Sequence, residues 1–331
     1  MIRVSADDKC PCDSGKVLRI CCLDADGDLR PVAAATRTPA PRTGLRNDGC
    51  YAAAFADCSA EISREHYISH ALLKQLSVEG SLALDGFPWQ DSGAISSVRP
   101  ATLTGKILCR RHNLALSPLD AIASRLFERI DQFHHEFIDS TRKYENRFFL
   151  FNGHDIERWM LKTLCGAVVS RNAEIRTGEP NWRPSLGWLK ILFGEEPFRP
   201  RCGMYFYSEV SDKPYIERGF KFVSFSNKMA GVYGARISLN DERLVLAMSA
   251  PPDDLGKTFI RDHAYRPQGL RFMIGSCEKV VHFGWDDGLP HRGATIWISD
   301  SPLARSRWFL GWACNGAIGR SRMAGCSARR K

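Results

Sequence analysis

Two short stretches hold side chains able to do chemistry together. ISREHYIS, residues 62–69, sets the carboxylate of Glu65 beside the imidazole of His66, and LCRRHN, residues 108–113, adds Cys109, His112 and Asn113. An imidazole titrates near neutral pH and can take a proton from water. A carboxylate and an amide are hard oxygen donors suited to magnesium or manganese. Such groups suit phosphodiester cleavage, in which a base activates water while a divalent cation offsets charge on the phosphate and the leaving oxygen. Upstream, Cys50 and Cys58 complete a Cys3His set with Cys109 and His112, the composition of an ordinary structural zinc site. His70, four residues past His66, is an alternative base or ligand if this segment turns helical. Asp120, seven residues after Asn113, reads first as a solvated or capping aspartate and second as a further metal carboxylate.

A second cysteine set lies in CPCDSGKVLRICC, residues 10–22, where Cys10, Cys12, Cys21 and Cys22 supply four soft thiolates. Four are enough to close a tetrahedral zinc site without help from the rest of the chain. The turn-forming Asp13-Ser14-Gly15 folds the segment back, and Lys16 and Arg19 offset the excess negative charge. The pattern resembles the SEC-C motif, a small zinc module found on many bacterial proteins. The resemblance covers these thirteen residues, with Asp13 replacing a glycine and Val17-Leu18 replacing a Lys-Tyr pair. It implies a docking element for proteins or nucleic acid, with no catalytic part.

The layout from Cys50 to Asn113 resembles the HNH endonucleases, the ββα-metal, treble-clef-like fold. In that family a cysteine pair precedes an acidic residue followed by His, and a later strand ends in a Cys-containing turn that opens a helix. The resemblance implies structural zinc on Cys50, Cys58, Cys109 and His112, with Glu65 as a ligand of the catalytic magnesium or manganese. It implies that His66 is the general base and that Asn113 ligates or orients the catalytic metal. The chain departs from the family pattern in three places: seven residues separate Cys50 from Cys58, the segment from His66 to Cys109 is long, and Thr104 stands where the middle Asn is usual.

Around these residues the chain divides by composition. Residues 1–23 form the small zinc module, and residues 24–48, rich in Pro, Ala, Thr, Gly and Arg, are expected to be a flexible basic linker that tethers it. Residues 49–135 form the HNH-like domain. Its insertion, residues 77–106, holds Phe87 and Trp89 amid turn formers and reads as a plug over the module. ILC is expected as an extended end, RRHN as a turn, and LALSPLDAIASRLFERI as a helix with Leu116, Leu119, Ile122, Leu126 and Ile130 on one stripe and Pro118 in its first turn. Residues 118–175 read as helical throughout, and within them 153–171 is amphipathic through Ile156, Met160, Leu161, Leu164 and Val168. The helical segment is bounded at 136–200. His134, His135 and His154 within it read as surface or packing histidines.

From 201 to 318, short runs such as MYFYSEV, FKFVSFS, RLVLAMS and KVVHFGW argue an antiparallel β-rich domain for specificity or partner binding. Residues 319–331 form a basic tail. The expected fold class is therefore α+β.

At 331 residues and 44% hydrophobic content, the chain can bury sizeable cores. It shows no apolar run long enough for a membrane span and no leader pattern, so the expected location is the cytoplasm. There, clustered cysteines read as metal ligands, and the isolated Cys165, Cys202, Cys277, Cys314 and Cys326 as core or free thiols. The net charge of +9 favours a polyanionic partner such as nucleic acid, which the HNH resemblance implies is most readily DNA. The function expected is metal-dependent phosphodiester hydrolysis with zinc in up to two structural sites. The alternative is a non-catalytic adaptor built on two zinc modules.

Overall fold

The computed structural model describes residues 4–85, 96–138, 145–170, 181–207, 220–229, 231–239, 242–251, 263–274, 277–289, 291, 293–297 and 309–313. Phe87, Trp89, Cys314, Cys326, the basic tail and the side chains of His134 and His135 lie outside this description. The regular elements run β1 (Ile62–His66), α1 (His70–Leu76), β2 (Leu82–Asp85), β3 (Ser96–Val98), β4 (Thr104–Cys109), α2 (Arg110–Ile138), β5 (Arg147–Asn152), α3 (Gly153–Val169) and α4 (Leu186–Leu192). They continue with β6 (Gly203–Tyr207), β7 (Phe220–Asn227), β8 (Gly231–Leu239), β9 (Glu242–Ala247), β10 (His263–Tyr265), β11 (Gly269–Ile274), β12 (Cys277–Gly284), β13 (Gly293–Trp297) and β14 (Phe309–Ala313). The architecture is mixed helix and sheet, α+β. Among the described residues, no helix is long and apolar enough to cross a membrane.

β1 and β4 form a two-stranded antiparallel pair with Ile62 opposite Cys109, Glu65 opposite Gly105 and His66 opposite Thr104. The chain passes from β4 straight into α2, so Arg110–Asn113 is the first turn of a helix and not the expected irregular turn. The reason is geometric: residues three apart share a helix face, and Cys109 and His112 must meet one cluster. The opening N–H groups are met from outside the helix, Arg110 donating to the Glu61 carbonyl and Arg111 to the Ser59 hydroxyl. Pro118 consequently falls inside α2. Its missing N–H would leave the Leu114 carbonyl open, and the Ser117 hydroxyl donates to that oxygen at 2.8 Å.

The other strands make a seven-stranded sheet, β10-β6-β9-β8-β7-β2-β3, and a five-stranded sheet, β14-β13-β11-β12-β5. Both are mixed, since β2 pairs in parallel with β7, β5 with β12 and β11 with β13. Two boundaries expected from composition therefore dissolve. The insertion supplies β2 and β3, and the expected helical segment supplies β5, whose RFFLFN run sits between two helices. The C-terminal strands are completed by residues that precede them by more than a hundred positions.

α3 sits under these sheets. Asn152 caps it by accepting from the Asp155 N–H at 3.1 Å. The expected stripe of Ile156, Met160, Leu161, Leu164 and Val168 is buried, and so are Glu157, Arg158 and Lys162 on its polar side. Residues 24–48 hold no helix or regular strand, yet they lie along the body and are not a free tether. Ala34 N–H donates to Asp155 at 2.8 Å, Arg158 to the Thr36 hydroxyl at 3.0 Å and Asn152 to the Pro31 carbonyl at 2.8 Å.

Candidate functional site

Cys50, Cys58, Cys109 and His112 come together fully buried, their donor atoms all within 4.8 Å of one another. The His112 Nδ1 lies 3.5, 3.8 and 3.2 Å from the three sulfurs in turn. A tetrahedron with zinc–sulfur arms of about 2.3 Å and a zinc–nitrogen arm of about 2.0 Å has edges of about 3.5–3.8 Å, so the set fits a zinc ion without rearrangement. A hydrogen bond from Cys50, with others from His112 and the Ser59 N–H, outweighs burial and holds the Cys109 thiol far below its usual range. Phe55 and Phe193 enclose the His112 ring at 6.1 and 5.3 Å. The cluster pins three chain passages together: the loop before β1, the end of β4 and the start of α2. The seven residues between Cys50 and Cys58 contain a short helical turn, Ala53–Phe55, closed by Ala56 in the left-handed region at φ 51°.

The N-terminal set converges in the same way, with Cys12 and Cys21 sulfurs 3.5 Å apart and Cys21 and Cys22 sulfurs 3.6 Å apart. Burial would raise the Cys12 thiol, but bonds from Ser14 and the neighbouring thiols outweigh it and bring it down to about 7. This module is docked: Leu150 packs with Cys10, Leu18 and Cys22, and its N–H donates to the Pro11 carbonyl at 3.0 Å. From α2, Arg125 donates to the Cys12 carbonyl at 2.7 Å and Arg129 meets Asp13 at 3.2 Å. Two cysteine-rich clusters able to hold zinc are thus present.

Next to the buried cluster, the β1–β4 pair and the first turn of α2 bring Glu65 and Asn113 together, with His66 following Glu65 at the end of β1. Glu65 ends β1 almost fully buried, and Asn113 in α2 donates to the Ser63 hydroxyl at 3.1 Å and to the Glu65 carboxylate. His66 is half-buried, stacked on His70 with ring centroids 4.5 Å apart, and its Nε2 is buried without a hydrogen-bond partner. Burial, helped by the positive field of His70, pushes His66 down to about 4, so the ring is neutral at pH 7. Asp120 belongs here too, accepting from the Ser69 hydroxyl at 2.7 Å, and Trp159 donates to that same hydroxyl at 2.9 Å. Thr104 stands directly across the strand pair from His66, with its hydroxyl turned to the Ala101 carbonyl at 3.1 Å.

One member was not expected. Lys162 reaches from α3 with its side chain 2% exposed, and its ammonium touches Glu65 at 2.5 Å and also the Asp120 carboxylate. Burial alone would strip its proton, but the two carboxylates prevail and hold it charged. Two carboxylates and an amide are the donors a hard divalent cation takes, so the residues fit magnesium or manganese in kind. The point on which the carboxylates converge holds the Lys162 ammonium. Among the described residues, the sets of three or more Cys, His, Asp or Glu donors that converge closely enough for a metal are the two cysteine-rich ones. A lysine at position 162 carries no such signal in the sequence, because on an amphipathic helix it reads as a solvated charge. No family model matches the chain, and no curated protein or solved structure matches it either.

Proposed function

We propose that this chain is an HNH-type endonuclease of the ββα-metal kind, hydrolysing phosphodiester bonds of nucleic acid, DNA in the first instance. The observation that supports the reading is a zinc-suited cluster beside a strand pair that runs into a helix, with Asn113 hydrogen-bonded to Glu65 and His66 next to Glu65 on the strand. In this mechanism the His66 imidazole accepts a proton from the attacking water, the water oxygen bonds to phosphorus, and the bond to the leaving sugar oxygen breaks, with the leaving oxygen taking a proton from solvent. Glu65 and Asn113, with Asp120 beside them, would hold magnesium or manganese, which when bound offsets charge on the phosphate and the leaving oxygen. Stacking on His70 and pairing with Thr104 fix the direction in which His66 points. The +9 charge favours a polyanionic substrate. The N-terminal module serves as a second contact for nucleic acid or a protein partner, since Lys16 and Arg19 remain exposed after it docks.

The test is incubation of the zinc-loaded protein with supercoiled plasmid, and with labelled single-stranded RNA, in magnesium or manganese, beside a His66→Ala control. Cleavage by the wild type that falls by at least roughly a hundredfold in the variant supports His66 as base. Equal cleavage by both, or none by either, favours the second reading, a non-catalytic zinc adaptor. The observation on that side is the closure of Glu65 by Lys162.

A further inference from the structure

The Glu65 carboxylate is almost fully buried, and the Asp120 carboxylate is 26% exposed, so the pair faces solvent on Asp120's side only. A buried carboxylate and a partly buried one converging on one point repel each other unless a cation sits between them. Lys162 supplies that cation from the middle of α3, a helix packed so tightly that the ammonium has no route to solvent of its own. It is too deep to meet a substrate phosphate. Its position between two oxygen ligands is, however, the one a small divalent ion would take.

We propose that Lys162 is a built-in counter-ion that competes with a divalent cation for the Glu65–Asp120 pair. This rests on the reading of the pair as the cation site of the proposed nuclease, and makes occupancy of that site conditional. While the ammonium is seated, the pair is neutralised and the divalent ion binds weakly. When the ammonium is removed, the two carboxylates are exposed to each other and take up the ion. The site is thus closed while the ammonium is seated.

The measurement is manganese binding to zinc-loaded full-length protein, read by electron paramagnetic resonance and by thermal shift, with no nucleic acid present. Wild type is compared with Asp120→Asn, Lys162→Met, Lys162→Gln and Lys162→Met combined with Asp120→Asn. The expected result is weak binding by wild type, binding at least about tenfold tighter in either lysine variant, and loss of that gain when Asp120→Asn is added. Manganese should also restore thermal stability to the lysine variants and leave wild type unmoved. Equal affinity of wild type and the lysine variants overturns the proposal, as does absence of binding in folded variants. The wild-type arm decides even if both lysine variants fail to fold, because micromolar manganese binding that Asp120→Asn abolishes shows that the lysine is no competitor. Tight binding by Lys162→Met without cleavage leaves this inference standing and sinks the nuclease reading instead.

Discussion

Single residues carry the two zinc-suited clusters unequally. Cys58 is buried inside the large core that runs through β1, α2 and α3, whereas Cys10 belongs to the small cluster of Leu18, Cys22 and Leu150 at its margin. Removing one thiolate from either set should release about one equivalent of zinc, because a structural site bound by three ligands loses most of its affinity. The consequences for folding should differ. Cys58→Ser should cost much more stability, since it leaves the buried cluster within the large core one ligand short, and Cys10→Ser should lower the melting temperature by only a few degrees, about 1–2 kcal/mol. Zinc content measured by a chromophoric chelator, beside a thermal melt, checks both, and an unchanged melt for Cys58→Ser would sink the clamp argument. At this scale the sequence was informative wherever side-chain chemistry is rare: thiols in pairs, and a carboxylate beside an imidazole, have few uses. Lys162 and Ser69 stayed hidden because lysine and serine are ordinary on any exposed face, and their roles exist only after α3 packs behind Glu65 and Asp120.

Between elements, the contact of α3 with the end of β1 decides where His66 sits. Gly166 lies against Tyr67, the residue after His66, and a Cβ there would come within 2.6 Å of the Tyr67 Cβ and 3.2 Å of its Cα. Backbone cannot yield as a flexible side chain does, so Gly166→Ala should push β1 away from α3 and cost about 1–3 kcal/mol, more than offsetting alanine's better helix propensity. A urea melt would show it, and a stabilised Gly166→Ala variant would contradict the close packing. Periodicity identified α3 and most of α2, but misplaced the start of α2 by several residues, because the zinc-suited geometry at Cys109 and His112 requires a helical turn that RRHN does not advertise. β5 was lost for a related reason. Phe148 to Phe151 is a short continuous apolar run, which periodicity cannot assign, and helical patterns on both sides absorbed it.

For the whole molecule, the issue is whether the strands after residue 200 form a separate domain, as their composition suggests. The structure ties them to the N-terminal half at three places. β5 pairs with β12 over six registered residues from Arg147 to Asn152, and β2 extends the seven-stranded sheet through β7. Glu157, wholly buried in α3, accepts from the Met204 N–H at 2.8 Å and is held by Arg266 at 2.9 and 3.1 Å, while Arg266 also meets Asp287 at 2.5 Å. Such pairings between distant segments are set by tertiary assembly, which no local pattern encodes. Removal of the C-terminal half would strand a buried carboxylate, uncover an edge of aromatic residues and open the core around Trp159 and Met160. A protein ending at residue 200 should therefore fail to fold cooperatively even with zinc, showing no near-ultraviolet dichroism and rapid proteolysis. Arg266→Met in the full chain should cost about 3–5 kcal/mol, the scale of an orphaned buried charge, and Glu157→Gln combined with it should recover part of that loss. A truncated chain with a sharp thermal transition would restore the two-domain view.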